Sequence, residues 1–322
     1  MQSPAEVNIG GKRLKLSNLD KVLYPAVGFT KAQVIDYYVR IAPVLLPHLR
    51  DRPLTMKRYP DGVDRPYFYE KRCPSHRPKW VKTADIWSDG KQGVIPFCLI
   101  NDLPSLVWAA NLADLELHTS LSRADAIERP TMVVFDLDPG PPANIVQCSQ
   151  VALLLREHLD QLRLQSFAKT SGSKGLQLYV PLNTPVTYDV TKAFARALAE
   201  LLERQRPNLV VAKMTKSLRA GKVFVDWSQN DEHKTTVCVY SLRAKERPMV
   251  STPVTWEEVS KASKRAGEGV LAFDSQQALA RAEEHGDLFK PVGTLKQRLP
   301  WMGEDSKAEA RRRKSKTRAP DA

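Results

Sequence analysis

This chain lacks the features that would mark it as exported, membrane-bound or built on disulfides. No apolar run approaches the roughly 18 residues that a membrane-spanning helix needs. The longest, Val94 to Ile100, is broken by Pro96 and followed by Asn101 and Asp102. The first residues, Met1 to Asn8, carry no charged-then-apolar export signal, so a cytoplasmic protein is expected. Cys73, Cys98, Cys148 and Cys238 stand far apart, which predicts no disulfide framework. Cys73 and His76 form only half of a zinc-type ligand set, and no second pair lies nearby, so they read as loop residues. No segment repeats. Acidic residues are in deficit, with 49 Lys and Arg against 36 Asp and Glu, a net charge of +13. The stretch Glu304 to Ala322 supplies +3 of this and the body +10. A body this basic points to a polyanion, nucleic acid first.

Apolar periodicity then sets the elements. Residues 5–29 predict short strands, with Gly10 and Gly11 at a hairpin tip. Thr30 and Gln33 form a capping box for a helix whose apolar face is Val34, Ile35, Tyr38, Ile41 and Ala42, broken by Pro43 and Pro47. Short β-like pieces fill 51–100, and Leu103 to Leu115 reads as a helix. From Thr131 strands and helices alternate. Thr131 to Leu137 is a buried strand, and Asn144 caps a helix. Leu164 to Thr170 and Leu176 to Pro181 flank a glycine-rich turn. Asp189 is expected to cap a helix with Val190, Phe194, Ala197, Leu198 and Leu201 inward. Val223 to Trp227 and Thr236 to Leu242 are strands. The pattern is that of an α+β (α/β) enzyme with a mixed sheet.

Four segments can carry chemistry. In F-D-L-D-P-G (135–140), Asp136 and Asp138 project from one face of a strand end. Two carboxylates there suit a hard divalent cation, and an acid-rich turn accounts for them equally well. Asp226 in V-F-V-D-W-S-Q-N (223–230) ends another strand, able to complete a two-metal cluster or simply to make a turn. T-S-G-S-K-G (170–175) offers Ser171, Lys174 and backbone amides to a phosphate, or is a flexible hairpin turn. It is not a Walker loop, because the spacing differs and no helix follows. Arg58, Tyr59, Arg65, Tyr67, Phe68, Tyr69, Lys71 and Arg72 interleave base-stacking rings with phosphate-binding charges, a composition that a solvated loop shares.

Taken together, these segments resemble the polymerase domain of the bacterial non-homologous end-joining ligase, ligase D, of the archaeo-eukaryotic primase superfamily. L-S-N-L-D-K-V-L-Y-P (16–25), T-K-A-Q-V-I-D-Y-Y (30–38), R-P-L-T-M-K-R-Y-P-D-G (52–62), F-Y-E-K (68–71) and L-E-L-H (115–118) precede the three motifs above, and Y-S-L-R-A (240–244) follows. All run in family order from about residue 8 to 260. The resemblance implies a primase-polymerase fold, with an RRM-like catalytic sheet flanked by helices and an N-terminal α/β module. It divides the chain into 1–115, 116–300 and a basic tail, 301–322, expected to be disordered. It implies a nucleotidyltransferase that adds nucleotides, with ribonucleotide preference, to DNA 3′ ends at gaps or breaks. Asp136, Asp138 and Asp226 would hold two Mn²⁺ or Mg²⁺ ions. Ser171, Lys174 and Arg243 would grip the triphosphate. Lys57, His118, Gln229, Tyr69 and Arg219 would line the nucleotide site, and Lys21 and Lys31 would bind a DNA 5′-phosphate. DNA is the implied partner, with a Ku-type end-binding protein and a separate DNA ligase beside it, in a bacterial cytoplasm at the nucleoid.

Two departures stand out. The family often has His after the glycine-rich turn, where this chain has Gln177. The chain also has neither the ligase nor the phosphoesterase domain of ligase D, leaving a stand-alone polymerase and an excised domain both open. Two rival functions remain on the residues alone. A Mn²⁺-dependent D-x-D glycosyltransferase is disfavoured by the basic body. A DNA-end-binding module of weak catalysis is made conceivable by Gln177. A haloacid-type phosphatase fits poorly, because Pro139 and Gly140 follow the second Asp.

Overall fold

The computed structural model describes residues 5–264 and 270–300. The predicted tail, 301–322, lies outside them. A hairpin of β1 (Ala5–Ile9) and β2 (Lys12–Leu16) turns at Gly10 and Gly11, both at positive φ. Then β3 (Val22–Tyr24) and β4 (Phe29–Thr30) lead into α1 (Lys31–Leu49), closed at its start by the expected Thr30–Gln33 capping box. Pro43 and Pro47 do not break this helix. Both are exposed and lie four residues apart, on its solvent side. The carbonyls that lose their amide partners, at Val39 and Pro43, are on exposed residues too and can be hydrated.

A first sheet runs β15-β9-β5-β8-β7, built from β5 (Leu54–Arg58), β7 (Thr83–Ser88), β8 (Gly93–Cys98), β9 (Asp114–Thr119) and β15 (Thr236–Val237); β6 (Phe68–Glu70) pairs with β5. α2 (Leu103–Asn111) is shorter than the sequence predicts. Ala113 takes a left-handed conformation, and Leu115 belongs to β9. The domain boundary expected at 115/116 therefore falls inside a strand.

The second sheet runs β13-β14-β10-β12-β11-β18. Its strands are β10 (Met132–Pro139), β11 (Phe167–Thr170), β12 (Leu176–Pro181), β13 (Val210–Val211), β14 (Val223–Asp226) and β18 (Pro253–Val254). Only β13 and β14 are parallel, so the sheet is mixed and the class is α+β. α3 (Ile145–Gln161) and α4 (Tyr188–Gln205) cover one face, where Val133, Phe135, Leu137, Leu176, Leu178 and Val180 are buried. Asn144 caps α3 as predicted. α4 starts after Thr187, with Asp189 in its first turn, and buries Thr191, Phe194, Ala195, Leu198, Ala199 and Leu202. Ala197 faces solvent. The other face of this sheet, with Met132, Val134 and Tyr179, joins one core with α1, α2 and the first sheet. β16 (Leu242–Ala244) and β17 (Pro248–Val250) form a hairpin, and α5 (Trp256–Ala262), α6 (Ser275–His285) and α7 (Lys290–Thr294) complete the described chain. Among the described residues no helix is long and apolar enough to cross a membrane.

The cysteine expectation is corrected. Cys73 and Cys98 form a buried disulfide, while Cys148 and Cys238 are free. The 25-residue separation hid the pair. The antiparallel β7–β8 hairpin brings the chain back, and the Cys73 amide donates to the Pro96 carbonyl at 2.7 Å. Closing a loop of this length is worth about 3 kcal/mol. Urea unfolding with and without reductant should show a loss of that order, and Cys73→Ser should make the two curves coincide.

Candidate active site

The acidic centre lies on the face of the second sheet opposite α3 and α4. Because β10 turns Val133, Phe135 and Leu137 inward, Asp136 and Asp138 emerge together on the opposite side. Asp136 is the direct cross-strand partner of Asp226 on β14 and of Gln177 on β12; Asp138 stands opposite Phe224. The register continues from Gln177 to Lys169 on β11. One row across the sheet thus reads Asp226, Asp136, Gln177, Lys169.

Burial, then the charges of Asp138 and Asp226, push the Asp136 carboxyl up to about 7, against a hydrogen bond from Gln177 and the charge of Lys169. Asp138 is exposed at the strand end but lies deep enough in the surrounding protein for desolvation to raise its carboxyl as well. Asp226 adds to this rise, and Arg219 and Arg243 only partly offset it. Mutually destabilised oxygen ligands of this kind fit a hard divalent cation. Asp226 is differently engaged. Its Oδ1 accepts from the Ser228 amide at 2.9 Å and the Ser228 hydroxyl at 2.6 Å, and its Oδ2 from Gln229 Nε2 at 3.1 Å. Among the described residues, accordingly, no three His, Cys, Asp or Glu side chains converge as a ready-made metal cluster. Asn230, fully buried, ties this turn to β10: its Oδ1 accepts from the Val134 amide at 2.9 Å, and its Nδ2 donates to the Val134 carbonyl at 2.7 Å.

The glycine-rich turn connects β11 to β12 beside this row. It differs from the expected row of free amides. The Ser173 and Gly175 amides donate to Ser171 Oγ at 3.2 and 3.1 Å, so the hydroxyl closes the turn from within. Gly172 has φ +66°, and a Cβ there would meet Arg243 Cγ at 2.6 Å; a Cβ at Gly175 would meet the Leu137 carbonyl oxygen at 2.0 Å. Both glycines are therefore required for close approach. Arg243 on β16 donates to the Ser171 carbonyl at 2.5 Å, and Lys174 belongs to the same turn. Arg219 stacks its guanidinium 3.7 Å from the Phe224 ring centroid and donates to the Met214 carbonyl at 2.9 Å.

Lys57, Tyr69 and His118 gather on the first sheet around a residue that the motif reading quoted without assigning it a role. Glu116 is 1% exposed. It pairs with Lys57 Nζ at 3.4 Å, His118 Nε2 at 3.0 Å and Arg243 Nε at 3.3 Å, and accepts from the Ala244 amide at 3.1 Å. Burial alone would raise its carboxyl. The His118 hydrogen bond and the charges of Arg243, His118 and Lys57 hold it well below the usual carboxylate range instead. Burial lowers the His118 pKa despite this carboxylate. Alternation along β9, which puts Glu116 and His118 on one face, is the signal that could have identified Glu116. Lys57 Nζ also lies 4.3 Å from the Tyr67 ring centroid and 5.5 Å from that of Tyr69. Tyr69 meets His118 edge-on and remains 56% exposed, leaving ring surface for a base. Arg243 joins the two halves, touching Glu116 on one side and Ser171 on the other.

Lys21 and Lys31 lie apart from this centre but next to each other: the Lys31 amide donates to the Lys21 carbonyl at 2.8 Å. Lys21 is half-buried and pairs with the exposed Asp61 at 2.6 Å; Lys31 is buried and donates to the Ser17 carbonyl at 2.7 Å. Burial, then Lys21 and Arg58, bring the Lys31 amine down to about 8.

The chain as a whole is similar to known proteins. The family model described as LigD, primase-polymerase domain, matches residues 30–289. The chain is 45% identical over 283 residues to the multifunctional non-homologous end joining protein LigD of Mycolicibacterium smegmatis, covering 87% of this chain and 36% of that protein. It is 33% identical over 248 residues to the bifunctional LigD of Bacillus subtilis, covering 77% and 39%. It thus spans little more than a third of these relatives' length. Among solved structures, the polymerase domain of Mycobacterium tuberculosis ligase D in complex with DNA superposes with a TM-score of 0.81 at 39% identity, over 88% of this chain and 99% of that one.

Proposed function

We propose that this chain, which belongs to the LigD primase-polymerase domain family, is a nucleotidyltransferase of DNA end joining that adds nucleotides to DNA 3′ ends at short gaps and breaks, with Asp136, Asp138 and Asp226 as its metal-binding carboxylates. The observation that carries this is the direct pairing of Asp136 with Asp226 beside Asp138, with the Ser171–Lys174 turn alongside. Two Mn²⁺ or Mg²⁺ ions held there would supply Lewis acidity toward the primer 3′-hydroxyl and the triphosphate. Asp136 and Asp138 carry the charge that such ions offset. Asp226, directly across from Asp136 and oriented by Ser228 and Gln229, would complete the ligand set. Lys174 and Arg243 offer positive charge to the phosphates. Tyr69 stacks on the incoming base, and His118 and Lys57, braced by Glu116, face the nucleotide. Arg219 and Gln229 flank the acidic centre.

Lys21 and Lys31 form the seat for a DNA 5′-phosphate. Of these two lysines, Lys21 pairs with Asp61 at the surface and Lys31 with a backbone carbonyl, so a phosphate is the natural counter-charge. Ribonucleotides are the favoured substrates. The wider assembly, at the bacterial nucleoid, includes a Ku-type end-binding protein and a separate ligase activity.

Extension of a labelled primer on a short-gapped duplex tests this reading, with Mn²⁺ and ribo- or deoxynucleotides, the downstream strand bearing or lacking a 5′-phosphate. The expected result is template-directed addition, stimulated by the phosphate and favouring ribonucleotides. Lys21→Ala should remove the stimulation and leave addition on unphosphorylated gaps unchanged. Tight DNA binding without any addition would instead indicate an end-binding module.

A further inference from the structure

Lys169 is fully buried, at 0% exposure, on β11. It is absent from every motif that points to the active site. A buried ammonium needs acceptors, and its Nζ donates to Gln177 Oε1 at 2.7 Å and to Ser251 Oγ at 2.6 Å. As an ammonium, Lys169 has no acceptor atom, so this contact fixes which way the Gln177 amide points. Oε1 faces Lys169, and Nε2 is left for Asp136, the next residue along the cross-strand row. Without that constraint an amide can turn over and present its oxygen to the carboxylate. Tyr179 helps only weakly: its hydroxyl lies 3.2 Å from both Gln177 Oε1 and Thr236 Oγ1, and has one proton to give.

We infer that Lys169 is a positioning residue for the metal-binding carboxylate Asp136, acting through Gln177. It holds the amide so that its N–H group is aimed at Asp136. The inference rests on the polymerase reading above. It also accounts for the departure at position 177. An imidazole can always turn an N–H toward the carboxylate by choosing its tautomer. Glutamine needs a neighbour that imposes the choice, and Lys169 is that neighbour. The lysine and the glutamine together do what histidine does alone.

The test compares wild type, Lys169→Met, Gln177→His and the double variant. Mn²⁺ affinity is read from the electron paramagnetic resonance of free Mn²⁺, primer extension against Mn²⁺ concentration is measured in parallel, and thermal melts confirm folding. Loss of an outer partner of a metal ligand costs about 10- to 100-fold in metal affinity. Lys169→Met should weaken Mn²⁺ binding by that order and shift the metal dependence of extension equally, while KM for the DNA stays unchanged. In the Gln177→His background the same substitution should change little, a non-additivity that general loosening of the core would not produce. Equal Mn²⁺ affinity in wild type and Lys169→Met, with both extending primers, overturns the role of Lys169 and leaves the polymerase reading standing. A wild-type chain that neither binds Mn²⁺ nor extends a primer overturns both.

Discussion

Asp136→Ala or Asp138→Ala is expected to abolish nucleotide addition while gapped DNA still binds. Metal ions supply several kcal/mol of transition-state stabilisation, and losing that amount slows a reaction on the order of 10³-fold or more. The proposed DNA contacts are basic groups elsewhere, so a mobility shift should change little. Asp136→Asn adds a sharper test. A carboxyl whose pKa rises to about 7 on folding binds its proton more tightly in the folded state, so its contribution to stability falls as pH climbs from the ordinary carboxylate range through 7. At pH 8 without metal, Asp136→Asn should therefore melt above wild type. Added Mn²⁺ should reverse the order, because only the wild type gains ligand stabilisation. Protons and cations compete for the same oxygens, so wild-type Mn²⁺ affinity should weaken below pH 7. Near-normal extension by either alanine variant would remove these aspartates from the mechanism.

The second large effect is expected at Glu116. Its carboxylate neutralises Lys57 and Arg243 and bonds His118 in a nearly water-free position. Removing one member of a buried charged cluster leaves the others uncompensated and costs about 3–5 kcal/mol. Glu116→Ala should lose stability of that order in urea. Its KM for the incoming nucleotide should rise, because Lys57 and Arg243 are no longer held together. Glu116→Gln retains an acceptor for the Ala244 amide and should fall between the two. Because the folded pKa is depressed, this contribution persists above the ordinary carboxylate range and is lost only as pH falls below it. If Glu116→Ala matched wild type in both stability and KM, the cluster would have no organising role.

What could be read from the sequence was mostly local. The capping boxes at Thr30 and Asn144, the Gly10–Gly11 turn and the apolar run of β10 are decided within a few residues, and the structure has them as expected. Where a distant partner decides, the sequence misleads. Pro43 and Pro47 look like helix breakers until α1 is seen to turn them both to solvent. The apolar face of α4 is rotated from its predicted position because Thr191 and the alanines at 195 and 199 fit beneath the sheet, a packing choice that hydropathy does not record. Cys73 meets Cys98 only through a hairpin. Glu116 gains its role where β9, β5 and β16 come together, and Lys169 gains its own from the register of two strand pairs. The D-x-D pair, by contrast, was visible because both carboxylates lie on one strand.

The Asn230 side chain has a mechanical consequence. β14 has only four residues and is flanked on its outer side by the two-residue β13. A strand so near an edge would ordinarily fray first. By bonding both backbone groups of Val134, Asn230 continues the ladder beyond the point where the backbone leaves it. The gap between Asp136 and Asp226 is thereby splinted before any ion arrives. Charge repulsion can then turn the carboxylates about their own bonds, but it cannot pry the two strands apart.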